Sequence, residues 1–182
     1  LPGWGGGANW SGAAFDPDTN RLFIPSRTGP MVVKLKAGGE KTNFRFVRSR
    51  DVTSLKGPEG LPITKPPYSR ITAIDMNTGD HVWMRPHGNG IRQKIIKKGI
   101  SDPGPVGGRF GTGPLLTSSL LFLGQKDENR NLLRAFNKDD GTILAEIDLP
   151  ATPWGTPMSY VSSNRQYIVI ATGEGANAKL IG

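Results

Sequence analysis

The stretch Ile71–Trp83, ITAIDMNTGDHVW, decides how the rest of this chain is read. Ile71, Ala73 and Ile74 supply the apolar positions of a strand that runs into a polar turn. Asp75, Asn77, Thr78 and Gly79 make that turn: Asp and Asn side chains cap nearby amides, and Gly tolerates positive φ. Val82 and Trp83 then resume the strand pattern, so Ile71–Asp75 is expected to pair antiparallel with His81–Arg85. A hairpin this short cannot bury its own tryptophan, which calls for a neighbouring sheet. The chain repeats the order apolar, Asp or Asn, polar, Gly: Ala135–Gly141 reads AFNKDDG, and Ala14–Asn20 reads AFDPDTN with Asn in the place of Gly.

Working outward, Ser11–Phe15 and Arg21–Pro25 read as strands joined by the Asp16–Asn20 turn, and Met31–Leu35 as a third. Residues 36–70, rich in Gly and Pro, read as an ordered insertion that splits the first unit; Phe44 and Phe46 within it suit a short added strand. Ile91–Ile100 is the one modest helical candidate. Strand pairs then follow at Pro114–Leu116 with Leu120–Gly124, and Leu132–Phe136 with Ile143–Ile147. Pro157–Tyr160 and Gln166–Thr172 start the pattern again. Pro114 and Pro157 occupy equivalent places 43 residues apart, a spacing suited to one four-stranded propeller blade of roughly 40–50 residues. The expected fold is all-β, a partial β-propeller of about two to three blades, in preference to a β-sandwich. A partial ring leaves strand edges open, so the remainder of the propeller or another chain is expected to cover them.

Composition agrees. With 25 Gly, 15 Pro and 36% hydrophobic residues in 182, the chain favours many short strands and turns over a helical bundle. It has no cysteine, hence no disulfide framework or thiolate zinc site. A formal charge of +8 allows an anionic partner, but the basic runs Arg92–Lys98 and Arg45–Arg50 lack the interleaved aromatics that single-strand binding requires. Nucleic acid is not expected.

The repeat Ala-x-Asp-x-x-Thr-Gly-x-x-x-Trp at Ala73–Trp83 resembles the tryptophan-docking motif of the pyrroloquinoline quinone (PQQ) dependent dehydrogenases, and Pro66-Pro67-Tyr68 resembles that family's approach to one such hairpin. Gly6-Gly7-Ala8-Asn9-Trp10 with Phe15-Asp16-Pro17 resembles its Gly-Gly-x-Asn-Trp segment and Asp-Pro turn. Gly113–Gly124 with Leu133–Phe136, and Gly155–Tyr160 with Gln166–Ala171, are similar to its last two blades. The resemblance implies the carboxy-terminal portion, residues 1–182, of an eight-bladed propeller, incomplete and inactive alone. It further implies an oxidoreductase of the periplasm acting on an alcohol or sugar. PQQ and calcium would be its cofactors, and a cytochrome or membrane quinone its electron acceptor. Two departures stand out. Ala145 occupies the position of Trp83 in the second repeat, degrading that dock. The catalytic base, calcium ligands and quinone-pairing cation belong to parts of the family pattern that precede Asn9, so they are expected outside this chain.

Asn9 and Trp10 are the candidate cofactor-binding residues. Asn9 between glycines offers a donor and an acceptor to a flat ligand, or else caps a turn; Trp10 either stacks near the quinone or fills a blade interface. Trp154 suits packing or channel lining. His81 and His87 lack carboxylates at any metal-ligand spacing and are expected in solvent, as are Asp127, Glu128, Asp139 and Asp140 in apparent turns. Two functions stay open: a segment of a PQQ-dependent dehydrogenase, or a non-catalytic propeller module for interaction or assembly.

Overall fold

The structure, a computed structural model, describes every residue except 1, 2, 4, 9, 10 and 110, and at 51 and 52 the backbone alone. Its first sheet joins β1 (Ala14–Asp16), β2 (Arg21–Arg27), β5 (Ser69–Asp75) and β6 (His81–Pro86) in the order β1-β2-β5-β6. The second joins β7 (Leu115–Leu116), β8 (Leu120–Asp127), β9 (Arg130–Asn137) and β10 (Ile143–Asp148), and the third β11 (Pro153–Ser162), β12 (Arg165–Thr172) and β13 (Lys179–Ile181). All pairings are antiparallel, and each sheet is a meander. These are blades 1, 2 and 3 of an unclosed propeller. A single short α-helix among the described residues, α1 (Arg92–Ile96), lies where the helical candidate was read.

The hairpin forms as its sequence dictates. Asp75 Oδ1 accepts from Asn77 N at 2.8 Å, and Gly79 N donates to Asp75 O at 2.7 Å with φ of +80°. In register, Ala14, Phe23, Ala73 and Trp83 form one transverse row across all four strands of blade 1. That row packs with Ile71 against Leu121, Leu123 and Phe136 of blade 2. The Trp83 indole lies against Gly141 in the turn between β9 and β10; a Cβ there would collide with the ring, and the backbone has φ of +71°. Only glycine meets both demands. The indole Nε1 donates to Lys138 O at 3.0 Å, which satisfies its polar edge in a buried seam.

Blade 1 departs from the expected boundary of its insertion. The chain leaves the blade directly after Arg27, not after Leu35. β3 (Met31–Ala37) pairs only with β4 (Phe46–Ser54), in a separate two-stranded sheet. β2 has no room for β3, because its free edge is already taken by β5, from Arg21↔Asp75 to Arg27↔Ser69. β3 stays largely exposed, with Leu35 63% accessible. The excursion closes at its neck, where Thr28 N donates to Tyr68 O at 2.8 Å.

Two outer faces stay apolar and open. On blade 1, Phe15 is 50% and Met84 47% exposed; on blade 3, Met158 is 55% and Leu180 75% exposed. Blade 3 carries a stacked pair there, Tyr160 over Tyr167 at 5.2 Å.

Candidate functional site

The two ends of the blades differ. At one end lie tight turns: 16–21, 75–81, 116–120, 137–143 and 162–165. At the other end lie the excursion 28–68, the segment 87–114 that leads into β7, and the residues that precede β1 and β11. Connections of this length are where a rigid scaffold presents binding groups.

At that second end, the segments leading into the inner strands converge. β1, β7 and β11 pack in succession. Ser11 Oγ donates to Gly111 O at 3.4 Å, and Gly113 N donates to Gly155 O at 3.1 Å. A Cβ on Gly113 would strike both the Ser11 carbonyl and the Thr156 side chain, so three pieces of backbone meet at one glycine. Trp154, next to Gly155, is 47% exposed. Asn9 and Trp10 lie outside the described residues. Their flanks are fixed: Gly7 exchanges backbone hydrogen bonds with Arg27 at 2.7 and 3.1 Å, and Ser11 is tied to Gly111.

Behind this junction is a buried polar network. Arg134 Nη2 meets Asp127 Oδ2 at 2.7 Å, with both side chains 3% exposed. Arg134 Nη1 donates to Gln125 Oε1 at 2.8 Å, and Gln125 Nε2 donates to His87 O and Arg109 O at 3.0 and 2.6 Å. Asn89 N and Gly90 N donate to the Asp127 carboxylate. Burial works to raise the Asp127 pKa, but the Asn89 amide, the Arg134 guanidinium and the Gly90 amide outweigh it and hold the group below its ordinary value. A second buried pair, Lys138 Nζ to Asp16 Oδ2 at 2.7 Å, crosses the seam between blades 1 and 2 at the turn end.

These findings correct the sequence reading. His87 is 2% exposed rather than solvated, and Asp127 is 4% exposed rather than a surface cap. Burial, then the positive charge of Arg134, pushes the His87 pKa down to about 3, with Asp127 opposing. The ring is neutral at ordinary pH, and its Nε2 has no hydrogen-bond partner among the described residues. His81 is exposed as expected. Part of the signal for the network was present in the sequence: Arg134 interrupts the apolar run Leu132–Phe136 and Gln125 directly follows the apolar run Leu120–Gly124, and a buried strand carries such groups only when they are paired. Among the described residues, no group of three or more His, Asp or Glu could hold a metal ion.

Two four-stranded blades and a third sheet in ring-like succession define a segment of a β-propeller. Residues 1–168 match the family described as PQQ, glucose/ethanol/alcohol dehydrogenase, β-propeller domain, and the chain belongs to that family. It is 33% identical to quinate/shikimate dehydrogenase (quinone) of Acinetobacter baylyi over 95% of this chain and 24% of that protein. To quinoprotein glucose dehydrogenase A of Acinetobacter calcoaceticus it is 32% identical over 95% and 23%. The fold matches quinohemoprotein alcohol dehydrogenase from Comamonas testosteroni with a TM-score of 0.61 and 21% identity, over 92% of this chain and 22% of that one. It matches a europium-containing methanol dehydrogenase with a TM-score of 0.62 and 20% identity, over 88% and 24%. The chain thus spans about a quarter of the length of these relatives.

Proposed function

We propose that the complete protein carrying this chain is a PQQ-dependent dehydrogenase that oxidises an alcohol or sugar. The observation that supports this most is the family match across residues 1–168, which runs through the glycine junction and both sides of Asn9-Trp10. Close-approaching backbone at Ser11, Gly113 and Gly155 fits one wall for a flat cofactor, with the half-exposed Trp154 beside it. Bound PQQ would supply the two-electron acceptor. In this reading the Asn9 amide holds the carbonyl side of that group, Trp10 stacks beside it or fills the blade interface, and the calcium ligands and base come from other residues of the protein. The open faces of blades 1 and 3 take the neighbouring blades. A cytochrome or membrane quinone receives the electrons, and the periplasm is the compartment.

The test is a titration of the full-length protein with PQQ and calcium, followed by addition of an alcohol or sugar. The expected result is a bound-quinone absorbance that is reduced on substrate addition. Asn9→Ala should lower kcat by the equivalent of about 2–4 kcal/mol with little change in stability. Quinone that never binds would leave the propeller as an interaction module. A kcat unchanged in Asn9→Ala, with about 1 kcal/mol lost from folding, would make Asn9 a turn cap.

A further inference from the structure

Gln125 is fully buried in β8, beside the long segment that leaves blade 1 after β6 and enters blade 2 at β7. Its amide bonds three ways: Nε2 donates to His87 O at 3.0 Å and to Arg109 O at 2.6 Å, and Oε1 accepts from Arg134 Nη1 at 2.8 Å. One side chain thus holds both limbs of the segment, the outgoing one at residue 87 and the returning one at residue 109. A primary amide suits this place as no other side chain does. It offers donors to carbonyls that can only accept and an acceptor to a guanidinium that can only donate, so its orientation is fixed as well. The limbs are also tied to each other, Gly107 N to Gly88 O at 2.9 Å and Gly108 N to His87 O at 2.8 Å. At Gly88 there is no space for a side chain, since a Cβ would strike Gln125 Oε1 and Asp127 Oδ1.

From Arg109 the returning limb reaches the glycine junction within two residues. A Cβ on Gly111 would collide with Gly124 O and His87 Cε1 and would touch Gln125 Cβ. Thr112, itself buried, then locks onto the residue beside Gln125: its N donates to Gly124 O, and Gly124 N donates to its Oγ1, both at 2.8 Å. Gly111 O accepts from Ser11 Oγ and Gly113 N donates to Gly155 O, so the backbone on either side is placed by the same contacts. We propose that Gln125 is a positioning residue for the cofactor wall. By holding the carbonyls of His87 and Arg109 it sets where Gly111 and Gly113 stand, and through them the Ser11 and Gly155 backbone that would pack against the quinone. Being wholly buried, Gln125 acts through the junction and not by contact. The cofactor part rests on the dehydrogenase reading; the coupling of Gln125 to the junction does not.

Gln125→Glu in the full-length protein tests this. The volume is kept, but an oxygen replaces the donor that meets two carbonyls, so both limbs lose their anchor. Two quantities are read: deuterium uptake of peptides covering 109–116, without quinone, and the dissociation constant of PQQ with calcium present. Uptake is expected to speed, and the dissociation constant to rise about tenfold, the worth of one buried hydrogen bond. Trp83→Phe is the control, since it loses one buried hydrogen bond at the turn end; it should lower the urea midpoint yet leave both readouts unchanged. Where Gln125→Glu fails to fold, Thr112→Val removes the Oγ1 contacts to Gly124 N and Gly113 O and should move both readouts the same way. Uptake at 109–116 that matches the unaltered protein overturns the inference, and so does a PQQ constant that moves equally in Trp83→Phe. An unaltered protein that never takes up PQQ overturns the dehydrogenase reading and the cofactor part with it, while faster uptake in Gln125→Glu still upholds the coupling of Gln125 to the junction.

Discussion

Blades 1 and 2 carry the same transverse row, Ala14–Phe23–Ala73–Trp83 in one and Leu115–Phe122–Ala135–Ala145 in the other, yet they pack it differently. The first row drives an indole into a glycine turn and latches it through Nε1, with Phe23 at 5.9 Å from the Trp83 ring. The buried pair Asp16–Lys138 and the more exposed pair Arg21–Asp139 cross this seam, and Asp127–Arg134, within blade 2, lies behind it. The second row ends in an exposed alanine, and its seam is apolar: Phe122, Leu133, Ala135 and Leu149 against Ile170. Among the described residues no ion pair reaches across it. Hydrophobic burial has no direction, whereas hydrogen bonds and ion pairs do. The first seam therefore fixes how two blades sit on one another through side chains, whereas the second rests on apolar packing and the Gly113–Gly155 backbone hydrogen bond.

Four experiments on the full-length protein probe that difference. Trp83→Ala removes the knob and should cost about 4 kcal/mol, read as a lowered urea midpoint. A loss below 1 kcal/mol would mean that the ion pairs alone hold the seam. Arg134→Met leaves Asp127 and Gln125 buried without their cation and should cost about 3 kcal/mol. Hydrogen exchange should then speed at the amides of Asn89 and Gly90, which now donate to the Asp127 carboxylate; unchanged exchange there would detach the network from the loop.

The third experiment uses pH. His87 takes a proton near pH 6.5 when unfolded but only near 3 when folded. Between those values the unfolded state holds more protons, so stability falls as pH falls through the window. Between pH 7 and 5.5 the loss should be about 1 kcal/mol, absent from His87→Phe if that variant folds. A pH-independent midpoint across the window would contradict the burial of His87. The smallest effect belongs to Ala145→Trp. It restores the repeat on the β10 side, but nothing among the described residues offers it a receiving glycine turn. The expected change is within about 0.5 kcal/mol, and a gain beyond 1 kcal/mol would show that blade 3 can accept a dock.

Much of this was legible in the chain. The Ala73–Trp83 repeat announced both the hairpin and its need for a neighbour, since a turn has local chemistry and a tryptophan has a large surface to hide. The absent dock was legible too, because Ala145 stands in register with Ala135 as Trp83 does with Ala73. The limits of the excursion were not. Met31–Leu35 is a sound strand by composition, and only the pairing of β2 with β5 decides that it lies outside the blade. The buried state of His87 and Asp127 also depended on partners far along the chain, which a local pattern does not reveal. The site residues Asn9 and Trp10 rest on resemblance, and their role stays a proposal.

The neck between Thr28 and Tyr68 has a consequence for how such proteins diversify. The excursion departs and returns through one backbone hydrogen bond, and the blade strands on either side are already paired with each other. Because the entropy of closing a loop grows only slowly with its length, lineages can lengthen, shorten or exchange residues 29–67 without renegotiating the seams. The same neck marks where a foreign peptide can be grafted, and where one family can change what it recognises while inheriting an unaltered scaffold.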